Sequence, residues 1–166
     1  PCRYSEGSRG GWHVYDDKEV AYPFGHGLGY TDFQYSIVQE WTQSLSPPLE
    51  WRLRVQVRNA GFFDGADVVQ LYLRFPGRDP EAPDLRLRGF AKTPVLAPGE
   101  VHVITFSLWE RDLSRWDVAS HSWRLVKGRF ESFIGASSRD LRLCGAFGGA
   151  LVPSRPCRQG LQHVTE

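Results

Sequence analysis

Trp51-Arg-Leu-Arg-Val-Gln-Val-Arg58 alternates without a break, with Trp51, Leu53, Val55 and Val57 on one side and three arginines and a glutamine on the other. A period of two is that of a β-strand with one dry and one wet face, as in an antiparallel sheet. Outward from it, strands and turns follow in regular succession. Asn59-Ala-Gly-Phe-Phe-Asp-Gly65 supplies a turn, and Asp67-Val-Val-Gln-Leu-Tyr-Leu-Arg-Phe75 the returning strand. A Pro-, Gly- and Asp-rich loop covers 76–83, a further strand 85–92, and Ala97-Pro-Gly-Glu100 turns the chain into a strand over 101–108. Upstream, Phe33, Tyr35 and Ile37 alternate with polar residues. Short strands are expected at 122–126, 129–134 and 141–146, with Lys127-Gly128 as a hairpin turn between the first two. A stretch from Leu108 to Asp117 has helix-like spacing but is too short to matter. Seven or eight short strands and no convincing helix predict an all-β, two-sheet antiparallel sandwich.

The segment leading into this array is Tyr22-Pro-Phe-Gly-His-Gly-Leu-Gly-Tyr-Thr-Asp-Phe33. Three alternating glycines and a proline exclude a helix, since Gly costs roughly 1 kcal/mol and Pro about 3 relative to Ala in a helix interior. The expectation is an ordered connector whose glycines turn tightly, Gly27 included, while aromatic rings anchor it. Tyr22, Phe24, Gly25, His26, Gly27, Leu28 and Tyr30 are its candidate interface residues. Residues 1–31 read as connector and remnant of a preceding domain, with one short strand expected at Trp12-His-Val-Tyr15; 32–147 read as the sandwich and 148–166 as a tail.

Composition narrows the function classes. A net charge of +1 offers no electrostatic argument for a nucleic-acid partner, and the basic residues, 17 Arg and 3 Lys, are dispersed. No apolar run reaches the roughly 18 residues of a membrane-spanning helix. The chain starts at Pro1 and contains no methionine, which reads as a processed polypeptide, a separate domain or part of a longer chain. Three cysteines make no disulfide framework; Cys144 and Cys157 either pair, closing a short loop, or stay as free thiols. Neither Cys-x-x-Cys nor His-x-x-x-His occurs, so no metal site is expected, and no cofactor-binding residues are identified.

The connector resembles the "FPFGHGLSYTxF" segment of glycoside hydrolase family 3, the β-glucosidase and β-xylosidase family. Similarity continues, in family order, through Val57-Arg-Asn-Ala-Gly61, residues 64–72, Leu87-Arg-Gly-Phe-Ala-Lys92 and Leu96-Ala-Pro-Gly-Glu100, then Asp112-Leu-Ser-Arg-Trp-Asp117 and Ile134-Gly-Ala-Ser-Ser-Arg-Asp140. Tyr4-Ser-Glu-Gly7 and Gly11-Trp-His-Val-Tyr-Asp16 resemble the end of the family's second domain, although Trp12-His13 stands where Tyr-Arg is usual. The resemblance implies an immunoglobulin-like, fibronectin type III-like sandwich: a non-catalytic accessory module packing on neighbouring domains, in a secreted protein if kinship holds. It also implies that the nucleophile and the acid/base lie in two domains not contained here, so that the chain is no enzyme by itself. The alternative is a repurposed structural subunit of a larger complex. Either way the partner is protein.

The residues agree with that absence of chemistry. Retaining glycosidases need two carboxyls about 5–5.5 Å apart. Asp16/Asp17, Asp64/Asp67 and Asp112/Asp117 all sit in turns, where Asp bonds nearby backbone N–H groups. Gly25-x-Gly27-x-Gly29 precedes a strand and opens no helix, so it is no nucleotide loop. Trp41, Trp109, Trp116 and Trp123 are possible sugar-stacking planes, but Trp116 and Trp123 are expected to fill core, and carbohydrate binding by this module is not expected.

Overall fold

The computed structural model describes residues 11–15, 18–77, 83–149 and 152–157. The expectations for Cys2, residues 4–7, Asp16/Asp17, most of the 76–83 loop and the end of the tail fall outside them.

Among the described residues ten strands form three sheets. β1 (Phe33–Gln43), β2 (Glu50–Asn59) and β5 (Val101–Trp109) make a three-stranded sheet in the order β1-β2-β5. β3 (Val68–Arg74), β4 (Arg86–Lys92), β8 (Phe130–Gly135), β9 (Leu141–Phe147) and β10 (Val152–Pro156) make a five-stranded sheet in the order β10-β9-β8-β3-β4. β6 (Ser114–Asp117) and β7 (Ser122–Leu125) pair as a small hairpin. All pairings are antiparallel.

The alternation read from β2 holds. Leu53, Val55 and Val57 are fully buried, and Arg52, Arg54 and Arg58 point to solvent. They meet Val69, Leu71 and Leu73 of β3 across the interior, with Ile104, Phe106 and Leu108 of β5 completing the layer. Gly89 lies opposite Leu71 in β4, and a Cβ there would come within 3.1 Å of the Phe106 ring, so its missing side chain makes room for that ring. At another point of the core Trp41 stacks on Phe147 at 4.3 Å and donates its indole N–H to Ser132 Oγ at 2.9 Å.

Four local expectations need correction. Lys127-Gly128 does not join a hairpin, because β7 pairs with β6 and β8 with β3 and β9. Trp116 and Trp123 fill no core: they face each other across the β6–β7 hairpin, edge to face at 5.7 Å, about half exposed, with Arg111 on the Trp123 ring. Such an aromatic cross-strand pair stabilises a hairpin locally, and the backbone bond from Val126 to Leu113 ties it to the buried Leu113. Gly11–Tyr15 is a turn of 3-10 helix, not a strand. The fourth is the strand count, raised to ten by β6 and by β10, which lies within the segment read as a tail.

β10 carries too little apolar sequence to announce itself, and it is held by bonds from outside. Cys144 of β9 and Cys157 form a disulfide with Cα atoms 5.1 Å apart. The Cys157 N–H donates to the Arg142 carbonyl, and Ser154 donates through its N–H and hydroxyl to the Glu40 carboxylate of β1, each at 2.8 Å. Cross-linking over a separation of 13 residues restricts the unfolded chain by about 3 kcal/mol on loop-entropy grounds. Reduction is therefore expected to lower stability by roughly that amount, read as a shift in the denaturation midpoint with and without reductant. An unchanged midpoint would show that β10 is held without the bridge.

Candidate functional site: the docked connector

β2 alternates in burial, but β3 does not: Val69, Gln70, Leu71, Tyr72 and Leu73 are all buried. A strand covered on both faces reads as a continuous apolar run, and Val-Val-Gln-Leu-Tyr-Leu is nearly that. Val69, Leu71 and Leu73 face the sandwich interior. Gln70 and Tyr72 face the other way, and what covers them is the connector.

Trp12, from the 3-10 turn, sits edge-on to Tyr72 at 6.2 Å and stacks flat on Phe24 at 4.7 Å. Gln70 organises the polar part. Its amide Nε2 donates to the carbonyls of Gly25 (2.9 Å) and Ala136 (2.8 Å), and its Oε1 accepts the Tyr72 hydroxyl at 2.5 Å. Every strong contact of this buried amide is thus made, as burial of a polar group requires.

The loop between β8 and β9 supplies the second set of contacts. The Ser137 hydroxyl accepts from the Arg139 and Asp140 N–H groups, and Ala136 N–H bonds the Asp140 carbonyl, fixing a tight turn. That turn presents the Ser138 N–H to the Phe24 carbonyl at 2.9 Å. It also aims the Arg139 guanidinium at two connector carbonyls, Tyr15 (2.8 Å) and Lys18 (2.6 Å). Ile134-Gly-Ala-Ser-Ser-Arg-Asp140, read from sequence only as part of a resemblance, is therefore the docking loop.

Within the connector the expected residues divide. The Pro23-Phe24-Gly25-His26 turn is closed by the His26 N–H to the Pro23 carbonyl at 3.0 Å, with Gly25 at φ +79° in its third position. That is where a type II turn demands glycine. Gly25 bonds Gln70 of β3, and Phe24 bonds the β8–β9 loop through Ser138 and stacks on Trp12. Tyr22 stacks on the His26 ring at 5.0 Å on the exposed side, and Leu28 and Tyr30 lie almost fully in solvent. The aromatic anchor is thus Phe24 with Trp12, not the whole ring set. Gly27 has no left-handed backbone and open space around it, so the constraint expected there belongs to Gly25. Gly25→Ala should cost about 1–2 kcal/mol from the left-handed backbone alone, and Gly27→Ala should stay within about 0.5 kcal/mol of the parent. Thermal melts of the two variants check this, and equal melting temperatures would refute the turn assignment.

Sequence reasoning missed Gln70, Tyr72, Ser138 and Arg139. A signal existed for the first two: a polar residue inside an otherwise two-faced apolar strand calls for a covering layer with a carbonyl to accept from it.

A buried tyrosine, Tyr72, and a partly buried one, Tyr35, add a pH signature. Burial pushes the Tyr72 phenol above its ordinary range. Burial, and then the bond from its hydroxyl to Asp67 Oδ2, does the same for Tyr35. Both phenols are neutral in the folded state and ionise near pH 10 once unfolded. Their stabilising contribution is therefore complete below about pH 10 and is lost as pH rises above it. Denaturation at pH 9 and 11 should show the loss, smaller in Tyr35→Phe; a pH-independent midpoint would contradict it.

The surface cleft beside the connector is shallow, about 260 Å³, and is lined by Trp12, Tyr15, Tyr22, Phe24 and Arg139 among others. Three of the described carboxylates considered for chemistry are engaged by neighbouring groups. Asp112 accepts the Trp109 N–H at 2.8 Å, Asp117 accepts from Ser120 and Arg124, and Asp67 from Tyr35 and its neighbour's N–H. Among the described residues no three His, Cys, Asp or Glu side chains gather as a metal site would need. No described helix is long and apolar enough to cross a membrane.

Residues 67–138 match the fibronectin type III-like domain family. The chain is 41% identical to a probable β-glucosidase L of Emericella nidulans, over 78% of this chain and 19% of that protein. It is 40% identical to a probable β-glucosidase D of Aspergillus niger, over 88% of this chain and 22% of that protein. Its fold superposes on β-D-glucoside glucohydrolase from Trichoderma reesei with a TM-score of 0.72 and 34% identity, over 90% of this chain and 24% of that one. The chain thus spans about a fifth of the length of the curated relatives it matches. A domain match inside the sandwich and relatives of one kind on both sequence and structure lead to one identification: this is a fibronectin type III-like domain with its connector, related to the C-terminal part of glycoside hydrolase family 3 β-glucosidases.

Proposed function

We propose that the chain is a non-catalytic accessory module that packs on neighbouring domains of a family 3 β-glucosidase and stabilises them. The observation that carries this reading is the clamp of Tyr15, Lys18, Phe24 and Gly25 on the outer sheet face by Gln70, Ser138 and Arg139. A connector bonded through four backbone carbonyls, those of Tyr15, Lys18, Phe24 and Gly25, holds whatever precedes it in one orientation, where a flexible linker would let it swing. The described residues lining the cleft beside it are aromatic, apolar or small, with Arg139, and include no carboxylate. The hydrolysis of a glucoside then belongs to the rest of the polypeptide, and this module sets its geometry and stability.

The test is the intact mass and composition of the native protein, with assay of this chain alone on an aryl β-glucoside. A polypeptide several times longer, with no turnover by the chain alone, supports the reading. A native polypeptide of about this size that purifies in a stoichiometric complex would replace it with the structural-subunit alternative. Turnover by the chain alone would end both.

A further inference from the structure

The connector leaves the sheet face after His26 and ends at one pole of the sandwich, where three loops converge on Asn59. The Thr31 hydroxyl donates to Asn59 Oδ1 at 2.6 Å, and the Gly61 N–H donates to the same oxygen at 3.1 Å. The Asn59 amide donates to the carbonyls of Phe63 (2.7 Å) and Leu96 (2.8 Å). Gly65 and Leu96 exchange backbone bonds, and Gly61 and Gly65 both press on Thr31. The connector's end, the β2–β3 loop and the β4–β5 loop are therefore locked into one rigid surface.

That surface is apolar where a loop pole is usually polar. Leu28, Tyr30 and Phe62 are exposed to 86, 94 and 91%, and Phe63 and Val95 to about two thirds. Single exposed apolar residues are ordinary, but several on one locked surface mark an interaction site. Two consecutive phenylalanines at the tip of a turn serve no fold purpose there: the turn is held by Asn59, and neither ring belongs to the core.

We infer that this pole, Leu28, Tyr30, Phe62, Phe63 and Val95, is a docking surface covered by a neighbouring domain of the same polypeptide, through an apolar depression that takes the Phe62 and Phe63 rings. The inference rests on the accessory-module reading and adds where the contact lies. Two observations choose that occupant over a second copy or a separate subunit. The patch adjoins the docked connector, whose last residues before β1 supply Leu28 and Tyr30. The curated relatives are four to five times longer than the matched segment, at coverages of 19 and 22%, so a body large enough to cover the pole is available in proteins of this kind. A tethered neighbour is present at millimolar effective concentration, so a patch of five side chains suffices to hold it.

Hydroxyl-radical footprinting of the full native polypeptide tests this. Phe62 and Phe63 labelling is expected to fall about tenfold or more relative to the unfolded polypeptide, as for a dry interface core, in a species shown to be monomeric by light scattering. In Phe62→Ser/Phe63→Ser, Tyr30 labelling rises towards its unfolded rate while Trp12 stays protected. Native Phe62 labelled as fast as in the unfolded polypeptide overturns the inference but leaves the accessory reading intact if Trp12 is protected and the polypeptide is long. Protection found only in a dimer, lost on dilution to monomer, assigns the pole to a second copy and overturns it as well. A native polypeptide no longer than this chain removes both readings together.

Discussion

Tyr72→Ala is expected to lower the unfolding free energy by about 3–5 kcal/mol, the range for truncating a fully buried aromatic ring. Tyr72 has no exposed surface although it points away from the sandwich core, because the connector closes over it. Truncation opens a cavity between sheet and connector and removes the hydroxyl that holds Gln70 Oε1 at 2.5 Å. Gln70, freed on that side, would hold the Gly25 carbonyl less firmly, so local release of the connector should accompany the global loss. Tyr72→Phe separates the two contributions, since it keeps the ring and should cost only about 1 kcal/mol for one hydrogen bond. Equilibrium denaturation gives the energies, and quenching of Trp12 fluorescence reports the connector. A loss of less than about 1 kcal/mol in Tyr72→Ala would mean that the connector contributes nothing to burying this face.

Asn59→Ala should cost about 3 kcal/mol, the upper end for orphaned buried polar groups. Asn59 is fully buried at the end of β2, and its side chain makes four bonds, two accepted and two donated, which exhausts its amide donors. Alanine leaves the Phe63 carbonyl and the Gly61 N–H without that partner and loosens the pole that carries Phe62. Asn59→Asp is the sharper probe. A carboxylate keeps the contacts with Thr31 and Gly61 but faces the Phe63 and Leu96 carbonyls with a negative charge, so it should be at least as damaging at neutral pH. Burial and those carbonyls raise its pKa above the unfolded value of about 3.9, so the variant should recover stability as pH falls through the raised folded value, when the protonated acid can donate to one carbonyl. Calorimetry at pH 7 and pH 4.5 checks the sign. An Asp variant as stable as the parent at pH 7 would show that these carbonyls have other donors.

The two positions show why some of this protein is legible from sequence and some is not. The all-β reading came from Trp51 to Arg58, where a two-residue period sorts each side chain to one face, and burial follows that sorting along β2. Strand-by-strand alternation is local information, written in neighbouring residues, and collinear motifs placed the chain beside the family 3 relatives. The same kind of local signal excluded a helix from the connector, since its glycines and proline disfavour one.

The tertiary structure decided what those local signals meet. Trp116 and Trp123 have the same residue type as Trp41, yet two pair on the surface and one fills the core. β10 exists because Cys157 and Ser154 find Cys144 and Glu40, groups 13 and 114 residues away. Gln70 became the centre of the docking site only when the Gly25 and Ala136 carbonyls, 45 and 66 residues away in sequence, converged on one amide. Periodicity assigns a side chain to a face; which partner waits on that face is set by long-range chain closure, and no local pattern carries it.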